Sequence, residues 1–155
     1  MYVDANLVLA GSAVGNTISY QTVTGATAVL STNTVDLTNA RDIGEGNDLL
    51  KVRFQVGTVF AGLTALTVEL ISTTDAALTA GIVVIGSSGA IPVASLLAGA
   101  RFAFEVNPRL GVVGQRYLGL RFTPTGTGTT GTIFADIGPD YQDGAKFFPS
   151  GFAVL

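Results

Sequence analysis

Apolar and polar residues alternate with a period of two through much of this chain, and that period predicts strands. In "LLKVRFQV", Leu50, Val52, Phe54 and Val56 face one way while Lys51, Arg53 and Gln55 face the other. "TALTVELIS" sets Leu66, Val68 and Leu70 against Thr67, Glu69 and Ile71. "RFAFEV" sets Phe102, Phe104 and Val106 against Arg101 and Glu105, and "RYLGLRF" sets Leu118, Leu120 and Phe122 against Tyr117 and Arg121. Side chains at every second position share one face of a strand, so each run predicts a half-buried antiparallel strand. Shorter strand candidates are "NLVLA", "ATAVLS", "NTVDL", "GIVVIG" and "TIFADI". Glycine-rich stretches between them, "TGAT", "GSSGA", "NPRLGVVG" and "TPTGTGTTGT", read as turns and loops, because glycine accepts positive φ. "VASLLAG" allows one short helical turn.

Many short strands separated by turn residues predict an all-β fold: an antiparallel β-sandwich, jelly-roll-like, with extended terminal segments. The expected core is Phe54, Leu66, Val68, Leu70, Phe102, Phe104, Leu118, Leu120 and Phe122, packed between two sheets. The division predicted is a sandwich domain over residues 1–138 and an extended C-terminal segment over 139–155. That segment, "GPDYQDGAKFFPSGFAVL" with its lead-in, has no strand period but carries Phe147, Phe148 and Phe152. Its aromatics either close the base of the chain's own sandwich or pack on a neighbouring subunit, since exposed apolar patches mark contact sites.

Composition narrows the function classes. The chain has 155 residues, one domain's worth, of which 48% are hydrophobic and only 12% charged. Charged residues usually make up about a quarter of a soluble domain, so part of this surface is expected to face something other than water. A net charge of −3 with acids and bases mixed argues against nucleic acid, which needs a basic footprint. The N-terminal "MYVDANLVLAG" has no basic leader and is not read as a secretory signal. Residues 76–100 carry no charge and are long enough for a membrane span. Gly86, Ser87, Ser88, Gly89 and Pro92 interrupt them, so two short strands around a glycine-serine turn are the better reading, and no membrane is expected.

Candidate chemistry is sparse. The chain has no histidine and no cysteine, which removes the commonest general acid-base residue and the usual zinc and haem ligands. No P-loop pattern is present. Asp136, Asp140 and Asp143 fall close together, but their spacing does not match a helical calcium loop, and turn-forming aspartates are the simpler reading. The densest charge lies in "NARDIGEGNDLLKVRF", with Asp42, Glu45 and Asp48 beside Arg41, Lys51 and Arg53. The bases oppose cation binding. Asp42 and Glu45 could in principle act as a carboxylate pair on a glycoside, yet the chain has no tryptophan to line a sugar cleft. The expectation is therefore no enzyme, no metal and no cofactor. The cluster reads as ion pairs, either within the protomer or across a subunit contact where they would set register and partner choice.

Several stretches resemble one family. "STNTVDLTNARDIGEGNDL" is similar to the motif near the start of tailed-phage capsid cement, or head decoration, proteins of the Bordetella-phage type. "GSSGAIPVASLLAGARFAFEV", "QRYLGLRFTPTGTGTTGTIFADI", "YQDGAKFFPSGFAV" and the opening "MYVDANLVLA" extend the resemblance over nearly the whole chain. Asn33, Asp36, Arg41, Asp42, Gly44, Glu45 and Gly46 match the first motif, and Arg116, Tyr117 and Leu118 match the second. The uncharged "AVGNTISYQTVTGATAV" departs from the family's spacing. The resemblance implies a jelly roll made in the host cytoplasm that sits on the outer surface of the capsid in the virion. It implies contacts with the major capsid protein and with itself, as a homodimer or homotrimer. The protein-interface residues expected on this basis are Arg41, Asp42, Glu45, Arg116, Tyr117, Phe147, Phe148 and Phe152. The alternative is a virion-attached fibre or a receptor- or carbohydrate-binding jelly-roll module.

Overall fold

The computed structural model describes residues 4–15, 17–39, 50–106 and 115–139. A 3-10 turn at Ala5–Leu7, capped by the Asp4 carboxylate accepting from the Asn6 amide, leads into β1 (Val8–Ala10). There follow the hairpin β2 (Ser12–Val14) and β3 (Thr17–Ser19), then short β4 (Gln21–Thr22), β5 (Val29–Leu30) and β6 (Val35–Asp36). The main strands are β7 (Lys51–Val56), β8 (Ala61–Thr73), β9 (Val83–Pro92), β10 (Arg101–Glu105), β11 (Tyr117–Thr130) and β12 (Thr132–Gly138). The helical turn expected in "VASLLAG" is a 3-10 turn over Val93–Ser95. Among the described residues, no helix is long and apolar enough to cross a membrane.

Two five-stranded sheets face each other. One runs β1-β12-β7-β10 with β4 added beside β12, and the other runs β5-β11-β8-β9 with β6 added beside β11. All pairings are antiparallel. The pairs nest: β1 with β12, β5 with β11, β7 with β10 and β8 with β9. A long hairpin folded over on itself gives this order, which is the jelly roll, and the fold is the all-β sandwich that the alternation predicts.

The inward faces meet in one core containing Leu9, Val52, Phe54, Leu66, Val68, Leu70, Leu118, Leu120, Phe122 and Ile133. Seven of the nine expected core residues are fully buried there, whereas Phe102 and Phe104 are only half-buried. The reason is position. β10 is an edge strand with a ladder partner on one side only, so its rings keep an open flank even though Phe102 stacks on Phe54 at 5.1 Å.

Two glycine-rich runs expected as turns or loops are strand instead. β9 passes straight through "GSSG", with register shifts against β8 between Thr67 and Glu69 and between Leu70 and Ile71. At the first shift the Ser88 hydroxyl accepts from the Val68 amide and stands in for a backbone partner. β11 likewise continues through "TPTGTGTT", where β-branched threonines suit a pleated surface and the ladder with β8 extends to Ala61.

The outer face of the second sheet has a cover of its own. Gly119 lies opposite Ile71 and leaves room for Leu78, which is buried and held at φ 61°. The Asp75 carboxylate fixes that loop by accepting from the Thr79 amide, the Thr79 hydroxyl and the Ala80 amide, and these bonds hold its carboxyl below the usual range. A Cβ at position 119 would collide with the Leu78 side chain. Gly119→Ala should therefore cost about 1–3 kcal/mol by overpacking, read as a lower urea midpoint. An unchanged midpoint would mean that the loop lifts away freely.

Candidate functional site

Strand register decides which residues meet. Tyr117 pairs with both Asp36 and Thr73, and Lys51 pairs with both Glu105 and Gly138. Asp36, Lys51, Thr73, Glu105, Tyr117 and Gly138 therefore share one end of the sandwich. The chain also leaves or re-enters the described structure from this end, at Asn39 and Leu50, at Val106 and Gln115, and after Pro139. The opening charge cluster, the "RYLGL" motif and the aromatic C-terminal segment are thus all attached here. Of the predicted interface residues, Arg116 and Tyr117 fall within the described structure. Arg41, Asp42, Glu45, Phe147, Phe148 and Phe152 lie outside the described residues.

The two family-like motifs meet at Asp36 and Arg116. The Arg116 guanidinium donates from Nε to Asp36 Oδ1 and from Nη2 to Oδ2, each at 2.7 Å. Its plane lies over the Tyr117 ring, 4.8 Å from the centroid. Backbone bonds hold the pair in place: the Leu37 amide donates to the Arg116 carbonyl, and the Thr38 amide to Asp36 Oδ1. Asn33, from the same first motif, donates to the Gly11 carbonyl, while its own amide donates to the Leu9 carbonyl. Ser31 links this loop to β11 by accepting from the Leu120 amide. Asn33 and Ser31 therefore tie β1 to the second sheet, and their role is to hold the end of the fold that presents Asp36 and Arg116.

The Asp36–Arg116 pair is exposed and bidentate, and it is pre-ordered beside a tyrosine. Such a group is neither a general base nor a free anion site. Arg and Tyr in a fixed geometry are, however, the residue types enriched at protein contacts. The Arg116 hydrogen bonds, followed by the Thr38 amide, lower the Asp36 carboxyl from 3.8 to about 2. A depressed folded pKa contributes stability above the unfolded value that is lost as pH falls. Asp36→Asn should thus melt below the parent protein at pH 6, and the gap should close between pH 3.8 and about 2. A gap that is constant with pH would show that the carboxylate charge contributes nothing.

A second pair is buried. Arg53 and Asp136 are 4% and 1% exposed, although both point away from the main core. They lie opposite each other in the β7–β12 ladder. Arg53 Nε donates to Asp136 Oδ1 at 3.1 Å, Nη2 donates to Oδ2, and Nη1 donates to the Pro139 carbonyl at 3.1 Å. The guanidinium rests against Gly138, where a Cβ would come within 2.7 Å of Nη2. Burial pushes the Asp136 carboxyl up, against the pull of the Arg53 hydrogen bonds. This corrects two expectations. Arg53 is not on a solvated face, and Asp136 is a strand residue in a buried pair, not a turn aspartate. Two charged residues at outward phase in "KVRFQV" and "TIFADI" were the only signal, and pairing them needed the strand order.

A third pair, Arg121 Nε to Glu69 Oε2 at 2.8 Å, bridges directly opposed residues of β11 and β8 in a shallow depression with Ala28, Thr67 and Thr123. Among the described residues, no group of three or more His, Cys, Asp or Glu is placed to hold a metal ion. The Bbp16 family model matches residues 18–137, from β3 nearly to the end of β12 and including both Asp36 and Arg116. No curated protein matches the chain.

Proposed function

This chain belongs to the Bbp16 family, a family of Bordetella phage proteins, and from that premise we propose that it is a structural protein of the phage head. In this reading it is a cement protein: it binds the outer surface of an icosahedral shell, touches the major capsid protein and copies of itself, and strengthens contacts between shell subunits without doing chemistry. Family membership over most of the chain is the observation that carries the reading. The charged end supports it. There the exposed Asp36–Arg116 pair lies beside the half-buried Tyr117, and it adjoins the attachment points of the opening cluster and the aromatic C-terminal segment. A contact repeated at every symmetry-related position needs only modest strength, because bridging makes the second attachment intramolecular.

The test is copy number. Quantitative mass spectrometry of purified virions should find this chain at a count comparable with that of the shell subunit. A count matching only the vertices or a single tail would instead fit a fibre or receptor-binding module.

A further inference from the structure

β10 has nearly the same pattern read from either end. It runs Arg101, Phe102, Ala103, Phe104, Glu105, so Ala103 is flanked first by aromatics and then by opposite charges. Arg101 and Glu105 are exposed, and the two rings are half-buried. The strand closes the first sheet, and among the described residues its ladder is with β7 alone. Two bonds fix the alternation of that ladder: the Val56 amide donates to the Ala100 carbonyl, and the Val106 amide to the Leu50 carbonyl. The even-numbered residues of β10 therefore direct their backbone groups at β7, while Arg101, Ala103 and Glu105 direct theirs away from it. The Ala103 amide and carbonyl thus face outward along the sheet, with no partner strand among the described residues. β9 touches this edge at one point, where Gly86 lies against the Glu105 carbonyl. A Cβ there would come within 2.9 Å of the oxygen, and glycine puts no side chain over it.

We propose that β10 is a self-contact: two copies of this chain pair edge to edge through it, antiparallel, about a two-fold axis at Ala103. In that register Ala103 meets its own copy, Arg101 lies opposite Glu105 of the partner subunit, and Phe102 lies opposite Phe104 of the partner subunit. The two-fold repeats each contact. The result is two ion pairs on the outer face and two aromatic pairs on the inner face, both of them cross-strand neighbours that stabilise a ladder. A parallel pairing in register would set Arg101 on Arg101 and Glu105 on Glu105, so the charges select the antiparallel arrangement. They also argue against the simplest other role. Charge on an edge strand commonly blocks pairing. Blocking a second copy in this register would take like charges at 101 and 105, because those positions meet across the two-fold, and here the signs are opposite. Pairing would also cover the open flank of Phe102 and Phe104. The inference gives the self-contact of the cement reading a surface, and rests on that reading only for its place in a virion.

The test is sedimentation of the purified full chain over a range of concentrations. Four proteins are compared: the parent, Arg101→Glu, Glu105→Arg, and the double reversal Arg101→Glu/Glu105→Arg. Circular dichroism with a thermal melt checks that each folds. The parent should be a dimer. Each single reversal sets like charges opposite each other at two symmetry-related places and should weaken the dimer about tenfold or more. The double reversal restores opposite signs and should return to within a few-fold of the parent. A parent that stays monomeric would overturn the proposal, as would a dimer that both single reversals leave unchanged, or a folded double variant that does not recover. A second measurement holds even where a reversal fails to fold. The chain has no cysteine, so oxidised Ala103→Cys can link only two copies through that position. Paired Cα atoms there would be about 5.5 Å apart, within disulfide reach. Ala103→Cys should cross-link faster than Val14→Cys, a control at a position 74% exposed; an equal or slower rate would overturn the proposal. A chain that dimerises through β10 yet leaves heads no stronger would sink the cement reading and uphold this contact.

Discussion

Phe122→Ala should cost about 3–5 kcal/mol, the range for emptying a fully buried aromatic site. Phe122 is 0% exposed and sits in β11 opposite Val68 of β8 on one side and Val29 of β5 on the other. With strands on both sides and the facing sheet above, its surroundings cannot collapse far into the space left behind. Marginal domains have only about 5–15 kcal/mol in total, so this one truncation removes a large share. The measurement is urea unfolding, where the midpoint should fall with little change in slope. Phe104→Ala serves as the contrast: its ring is half-buried on edge strand β10, and its loss should be clearly smaller. Equal losses at the two positions would show that β10 is packed as tightly as the sheet centre.

Arg53→Met should be as damaging, about 3–5 kcal/mol, because it leaves the Asp136 carboxylate buried without its partner. The double variant Arg53→Met/Asp136→Leu should recover much of that loss, since replacing both members of a buried pair with apolar groups removes the stranded charge. The Pro139 carbonyl loses its Arg53 donor in both variants, so the comparison isolates the carboxylate. A pH dependence of definite sign follows. The Asp136 carboxyl is raised in the fold, mainly by desolvation, and a group raised in this way favours folding below its unfolded value. That contribution is lost as pH rises through the folded value. Without Arg53 the desolvation stands unopposed, so the Arg53→Met deficit should shrink on acidification and be greatest near neutral pH. A deficit that stays constant with pH would mean that Arg53 acts through packing on Gly138 and not through the charge of Asp136.

The fold was legible wherever the period of two had large side chains to carry it. Phe54, Leu66, Val68, Leu70, Leu118, Leu120 and Phe122 announce their face by alternation, and all are buried between the sheets. The signal fails in "GSSGA" and "TPTGTGTTGT", where small or uniformly polar residues carry no alternation. The backbone ladder continues through both, because its hydrogen bonds do not depend on side-chain polarity and bulges absorb the register changes. Edge position was also hidden: "RFAFEV" alternates as cleanly as any central strand, yet Phe102 and Phe104 lie at the margin. Charge partners were the least legible. Arg53 and Asp136 are 83 residues apart, and Asp36 and Arg116 are 80 apart, so nothing local relates them. The second pair was approachable in part, because its members fall in the two stretches that resemble the cement-protein motifs. The register of β6 on β11 is what joins them.

The central proposal, resting on the family match, is that this chain reinforces a phage head. The most direct measurement compares heads prepared with and without the protein for the temperature at which they rupture and release DNA. Decorated heads should rupture at a distinctly higher temperature, and adding purified protein back to bare heads should restore the difference. Identical rupture temperatures for saturated and bare heads would contradict the cement role.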